Sequence, residues 1–252
     1  MDQTKGFFVS NSENFELLKE LREKIFKLVK KHLNYEHTNS EYGLNYLHEL
    51  ISIGSEAELN EKRVALIQDI NASVDCGEII FMAFEGQIRS IIGNDILVQK
   101  NCNLVLQMPN DPNPSELHRD APGNSCYELV VWVPLVNCYK SKAMYILDFE
   151  DTKDAYEKLK NDGNWGKFEQ IALDTSQNPE VNFGQALFFS SAVLHGSEIN
   201  KEKETRVSLN IRFKNIFAPS GFKNQYQFFR SLRVSDFTQI GADLEFDVIT
   251  AK

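Results

Sequence analysis

From about residue 95 onward the chain breaks into short runs rich in Val, Ile, Leu and Phe, separated by turn residues: 96–99, 103–108, 129–135, 143–149, 186–189 and 206–213. Runs of this length and make-up read as strands. Many short strands close in sequence predict a β barrel or sandwich. Before them the period is helical. Residues 10–33 repeat Leu17, Leu21, Ile25, Leu28 and His32 at three- and four-residue steps behind Ser10-x-x-Glu13, which has the form of a capping box. Further helices are expected over 40–50, 56–72 and 76–92. The fold class is therefore mainly β with helical cover (α+β): 1–94 as cover, 95–215 as the β core and 216–252 as a C-terminal extension. One more helix is expected at 152–161, stopped by Gly163, and a Pro/Asn-rich loop at 109–114.

At 252 residues the chain is long enough for one large core or two small domains, so length alone leaves both open. Its formal charge of −9 sets it against a phosphate backbone, and nucleic acid is not an expected partner. No apolar run approaches the roughly 18–20 residues of a membrane span. The start, Met1-Asp2-Gln3-Thr4-Lys5-Gly6, is unlike a signal peptide. The expectation is a cytoplasmic protein with a small-molecule substrate. Cys76, Cys102, Cys126 and Cys138 form no C-x-x-C pair and are expected to be reduced and mostly buried. Lys19, Arg22, Lys24, Lys27, Lys30 and Lys31 on the first helix read as a solvated outer face. The aromatic tail (Phe217, Phe222, Tyr226, Phe228, Phe229) is expected to pack either on the β core or on a second subunit, the latter making a homo-oligomer.

Of five histidines, His32, His37 and His48 lie in the helical third without a carboxylate pattern, and core or surface roles suffice for them. His118 and His195 fall in the β part. His118-Arg119-Asp120 is an H-x-D, and in extended backbone residues i and i+2 share a side, so an imidazole and a carboxylate can reach one metal. With His195 the set becomes two histidines and one carboxylate, which leaves three positions open on an octahedral ion, as in non-haem Fe(II) oxygenases.

Ten residues after His195 stands Arg206-Val207-Ser208, at the head of an alternating strand. Alternation puts Arg206, Ser208, Asn210 and Arg212 on one side and Val207, Leu209, Ile211 and Phe213 on the other. A polar face can be the wet side of a sheet or the lining of a barrel; both readings stand at this stage. An arginine with a neighbouring hydroxyl matches a carboxylate, since guanidinium offers two parallel donors and the hydroxyl a third.

These residues together, His118-x-Asp120, His195 and H-x(10)-R-x-S, resemble the Fe(II)/2-oxoglutarate-dependent dioxygenase superfamily over roughly 104–213. Phe183-Gly184-Gln185-Ala186-Leu187-Phe188-Phe189 is similar to the turn and strand that precede the distal histidine there. Within that superfamily the chain most resembles the phytanoyl-CoA-dioxygenase-like branch, and there the small bacterial oxygenases of surface-carbohydrate gene clusters. The resemblance implies a double-stranded β-helix, or jelly-roll, in a single oxygenase domain over 1–252. It implies Fe(II) held by His118, Asp120 and His195, and 2-oxoglutarate held through its distal carboxylate by Arg206 and Ser208, with O2 as oxidant. Trp132 lines the cosubstrate pocket on this view, or else is a core tryptophan, and Arg212 is the fallback anion anchor. Retention of Asp120 implies hydroxylation, because related halogenases carry a small residue there.

The implied reaction is hydroxylation of a small molecule such as a sugar or surface-carbohydrate precursor, coupled to decarboxylation of 2-oxoglutarate to succinate. Three other readings compete: an oxygen-independent, metal-dependent cupin-like isomerase or lyase; a hydroxylase of a natural product or acyl substrate; and a non-catalytic jelly-roll module. Segment 109–117 and helix 152–161 are candidate lids, with Arg119, Asn124 and Glu128 as polar contacts.

Overall fold

The computed structural model describes residues 3–52, 54–121, 124–221 and 225–250. The first helix, α1, runs Phe15–Leu33, and its cap is Asn14, whose side chain accepts from the Leu17 amide at 3.4 Å. The expected capping box at Ser10 is corrected here. Ser10 belongs to strand β1 (Phe7–Asn11), which pairs antiparallel with β6 (Gln185–Ser190) over five residues, Ser10 opposite Ala186. The local cap signal lost to strand pairing with a segment far along the chain, a contact no local window contains.

The rest of the first third is helical, as expected, in more pieces. The 40–50 stretch divides into α2 (Ser40–Asn45) and α3 (Leu47–Leu50) at Tyr46, and α4 is Glu56–Ser73. The 76–92 stretch divides into α5 (Cys76–Ala83) and α6 (Glu85–Ile92) at Phe84, whose φ of −138° leaves the helical range. Helix α1 packs on α4 and α5. Its buried side chains Leu18, Leu21 and Ile25 join one apolar cluster with Phe81 of α5, Phe84 at its end, and Val131, Phe188 and Ile211 of the sheet beneath.

That sheet has seven strands. With β2 (Ile96–Gln99), β3 (Asn103–Gln107), β4 (Leu129–Pro134), β8 (Arg206–Asn215) and β9 (Phe229–Arg233), the order is β1-β6-β4-β8-β2-β9, and β3 also pairs with β8. All its pairings are antiparallel. Register decides what each face carries. Opposite residues share a side, so Phe8, Phe188, Val131 and Ile211 form an outer row under the helices; Phe188 stacks on Phe8 at 5.0 Å and meets Phe84 edge-on at 5.4 Å. The inner face carries Gln107 with Arg206, Ser208 with Pro134, Asn210 with Trp132, and Arg212 with Val130 and Phe189.

A small second sheet, β5 (Tyr145–Ile146) with β7 (His195–Gly196), lies against this inner face. It is widened by single bridges from His195 to His118 and from Ile146 to Gln177. The strand expected at 143–149 shrinks to two residues, because Asp148 caps a helix by accepting from the Asp151 amide at 2.9 Å. That helix, α7 (Phe149–Asp162), ends at Gly163, whose φ of +64° is the left-handed cap predicted. Helix α8 (Trp165–Thr175), not expected from the sequence, packs with α7 on Leu147 and Leu194, the outer side of the small sheet. The tail forms α9 (Gln225–Phe228), β9 and α10 (Asp236–Thr250); β9 closes onto β2 of the same chain, while Phe217 is exposed. Phe222 and the side chain of Tyr226 lie outside the described residues. The architecture is a mixed α/β arrangement with a mostly antiparallel sheet, consistent with a jelly-roll. None of its described helices is long and apolar enough to cross a membrane. The four cysteines are free, three buried and Cys126 exposed.

Phe188 is fully buried and joins β1, β6 and the helical layer. Phe188→Ala should lower the unfolding free energy by about 3–5 kcal/mol, the usual cost of removing a core phenylalanine, measured as a shift in the urea midpoint at constant slope.

Candidate metal centre and anion clamp

His118 and His195 are 77 residues apart and are brought together by backbone alone: each amide donates to the other's carbonyl, at 2.9 and 2.8 Å. Such a hydrogen-bonded antiparallel pair sends both side chains to one face, and the imidazole centroids lie 4.3 Å apart. Asp120 brings its carboxylate to the same place, while Arg119 turns away, its guanidinium 4.6 Å over Tyr156 of α7. One ligand atom from each of His118, Asp120 and His195 falls within 4.8 Å of the others.

The tautomers are set as a metal requires. Nδ1 of His118 donates to the Glu116 carbonyl at 2.7 Å and Nδ1 of His195 to the Val193 carbonyl at 3.0 Å, each two residues back. Since a carbonyl only accepts, Nδ1 carries a hydrogen, and in a neutral imidazole so held the lone pair is on Nε2. His195 is buried, with Phe189 against its ring at 4.8 Å, while His118 is exposed. Burial, and then the neighbouring His118, pull the His195 pKa from 6.5 down to about 4, so its imidazole stays neutral through the physiological range. Two imidazoles and a carboxylate fit a divalent transition ion.

The inner face of β8 answers the question the sequence left open: it is buried. Arg206 is 5% exposed and Ser208 0% exposed. The Arg206 guanidinium donates to the Ser197 hydroxyl at 3.2 Å and the Ala143 carbonyl at 3.4 Å, both beside the small sheet. Among the described residues its Nε and the Ser208 hydroxyl have no hydrogen-bond partner, nor do Gln107 Oε1 and Asn210 Oδ1 on the same face. No Asp or Glu among the described residues pairs with this cation, and burial depresses its pKa. A buried guanidinium with an open edge beside a hydroxyl is chemically able to receive an anion.

Trp132 is buried on the same inner face, between Asn210 and Leu187 in the register. Arg212, the fallback anchor, is corrected: it is committed to Asp120, at 2.7 Å from Nη2 to Oδ1 and 3.3 Å from Nε to Oδ2. Alternation placed Arg212 inside, but its partner lies on a segment with which it shares no pattern. Glu128 is buried beside Arg212, and Asn124 donates to the Asp120 carbonyl at 3.0 Å. His32 pairs with Asp69 and His48 with Thr205, away from the triad.

No family model matches the chain, and no curated protein does. Solved structures do. One described as a non-heme monooxygenase, a ThoJ–Ni complex, is 16% identical, covers 98% of this chain and 94% of its own, with a TM-score of 0.54. EctD from S. alaskensis with bound Fe is 12% identical over 92% of this chain and 84% of its own, with a TM-score of 0.59. AviO1 from Streptomyces viridochromogenes Tue57 is 13% identical over 86% and 93%, with a TM-score of 0.51. At these identities the likeness is one of fold.

A histidine buried neutral costs stability when the unfolded chain can protonate and the folded chain cannot. With a folded pKa near 4 against 6.5 unfolded, the metal-free protein should lose stability as the pH falls from about 6.5 toward 4. Urea midpoints across that range should fall less steeply in His195→Gln; equal slopes in both proteins would show that His195 does not carry the effect.

Proposed function

We propose that this chain is a non-haem Fe(II)/2-oxoglutarate-dependent oxygenase that acts as one catalytic unit. The observation that carries the reading is the pairing of two independent features on one side of the main sheet: a His-Asp-His set whose Nδ1 atoms are held by backbone carbonyls, and a buried Arg206–Ser208 pair with no carboxylate at ion-pair distance among the described residues. A metal site alone serves an oxygen-independent isomerase equally well. The clamp is what calls for an anionic cosubstrate. Two fold neighbours are named as a Ni complex and with bound Fe, which supports reading this chain as metal-binding.

His118, Asp120 and His195 would hold Fe(II); Arg206 and Ser208 would hold the distal carboxylate of 2-oxoglutarate, with Trp132 walling that pocket. When bound, iron and 2-oxoglutarate supply the oxidising chemistry, in which O2 is consumed, succinate and CO2 are released, and a substrate C–H bond becomes C–OH. The protein does the rest. Arg206 and Ser208 fix one end of the cosubstrate from β8, so its other end is directed toward the small sheet. Phe189 covers His195 and keeps water from that side, whereas the exposed His118 marks the side from which substrate approaches. Arg119, turned away onto Tyr156, is kept off the triad. Asp120 fills the ligand position that a halide needs, which favours hydroxylation. The substrate class we favour is a polar small molecule such as a sugar or surface-carbohydrate precursor.

Fe(II) plus 2-oxoglutarate under anaerobic conditions should give a metal-to-ligand charge-transfer band in the wild type, and the band should be lost in Asp120→Ala and His195→Ala. A folded wild-type protein without the band would sink the oxygenase reading. Arg206→Ala should weaken 2-oxoglutarate binding by about 1.5–3 kcal/mol, roughly 10- to 150-fold, with metal affinity nearly unchanged; unaltered cosubstrate affinity would remove Arg206 from the clamp.

A further inference from the structure

We propose that Arg212 is a positioning residue for the metal centre, and that Glu128 is the counter-ion that lets it do so without competing for Asp120. The inference rests on the triad being a metal centre and goes beyond its three ligands.

Arg212 reaches the Asp120 carboxylate from β8 with two nitrogens, one on each oxygen. Both side chains are 9% exposed. This grip is a fork of parallel donors, which fixes the plane of the carboxylate as well as its position. In that orientation an Asp120 ligand atom already lies within 4.8 Å of ligand atoms of both histidines. The arginine's hold and the convergence of the triad are therefore satisfied by one rotamer. Without Arg212 nothing else among the described residues bonds the Asp120 carboxylate, and its χ angles would be fixed by packing alone.

A lone arginine would also be a rival, since a buried guanidinium and a divalent cation want the same negative charge. Glu128 resolves this. It stands at the start of β4 on the inner side, its Oε1 accepting from the Ser125 amide at 2.9 Å. Its Oε2 is buried, has no hydrogen-bond partner among the described residues and lies 3.9 Å from Arg212 Nε. The carboxylate is thus held by the backbone with one oxygen turned toward the guanidinium. When Asp120 shares its charge with a metal, Arg212 is still balanced by Glu128. Lys214, two residues further along the same face of β8, is buried too and donates to the Pro219 carbonyl, so the acidic pair does not stand alone.

The test uses Co(II) alone on the full chain, without 2-oxoglutarate or substrate, with affinity read by calorimetry and ligand geometry by the visible Co(II) spectrum. Arg212→Gln should weaken Co(II) binding about 10- to 100-fold, the range for removing the partner of a metal ligand, and shift the spectrum toward that of Asp120→Ala. Arg212→Lys should recover part of the affinity. Glu128→Gln should bind Co(II) several-fold more weakly with the wild-type spectrum, because the arginine's whole charge then falls on Asp120. Wild-type affinity and spectrum in folded Arg212→Gln overturns the proposal; if neither Arg212 variant folds, wild-type affinity in Glu128→Gln overturns it. A wild-type protein that takes up no Co(II) removes the metal centre itself, an outcome distinct from an intact centre indifferent to Arg212.

Discussion

Two reciprocal backbone hydrogen bonds, between His118 and His195, carry the site. They join a loop that enters from the Pro-rich segment to a two-residue strand that leaves the main sheet, and they fix the register in which both imidazoles face inward. A slip of one residue would turn each ring to the far side. Two residues on from His118 comes Asp120, and residues flanking the same small sheet supply the Ser197 hydroxyl and Ala143 carbonyl that receive Arg206. The candidate metal ligands and the proposed anion clamp thus meet where the small sheet presses onto one face of β8.

The electrostatics follow from where charge is buried. Arg206 and Arg212 stand on the same strand face, six residues apart, and meet opposite fates. Arg212 is matched by Asp120 and flanked by Glu128. Arg206 meets only neutral acceptors and keeps an unpartnered nitrogen beside the free Ser208 hydroxyl. On the proposed reading, the paired charge positions a candidate metal ligand and the unpaired one is left for an anion. The helical layer contributes nothing to this chemistry directly. It seals the outer face through Phe8, Phe84 and Phe188, so the inner face alone is free to be polar.

Much of this was legible in the residues. The alternation in 206–213 put Arg206, Ser208, Asn210 and Arg212 on one side, and the structure keeps them there. The i, i+2 spacing put His118 and Asp120 together, and the Gly163 stop fell where predicted, since a left-handed cap is a local demand. Where reading failed, a distant partner had intervened. Ser10 looked like a cap and became a strand because β6 was available to pair with it; the 143–149 run lost its end to a helix capped by Asp148; and the tail supplied β9 to an edge that its composition did not reveal.

By itself, then, the sequence determined periodicity: which side chains share a face, which segments are strands, and which residue types stand ready for a metal and a carboxylate. Only the tertiary structure decided what each polar residue faces. Whether the polar side of β8 is wet or buried, and which of its two arginines is spoken for, depends on the small sheet and on Asp120 packing against it from elsewhere in the chain. Alternation is a property of neighbouring residues, whereas desolvation and charge pairing belong to segments that meet only when the chain folds.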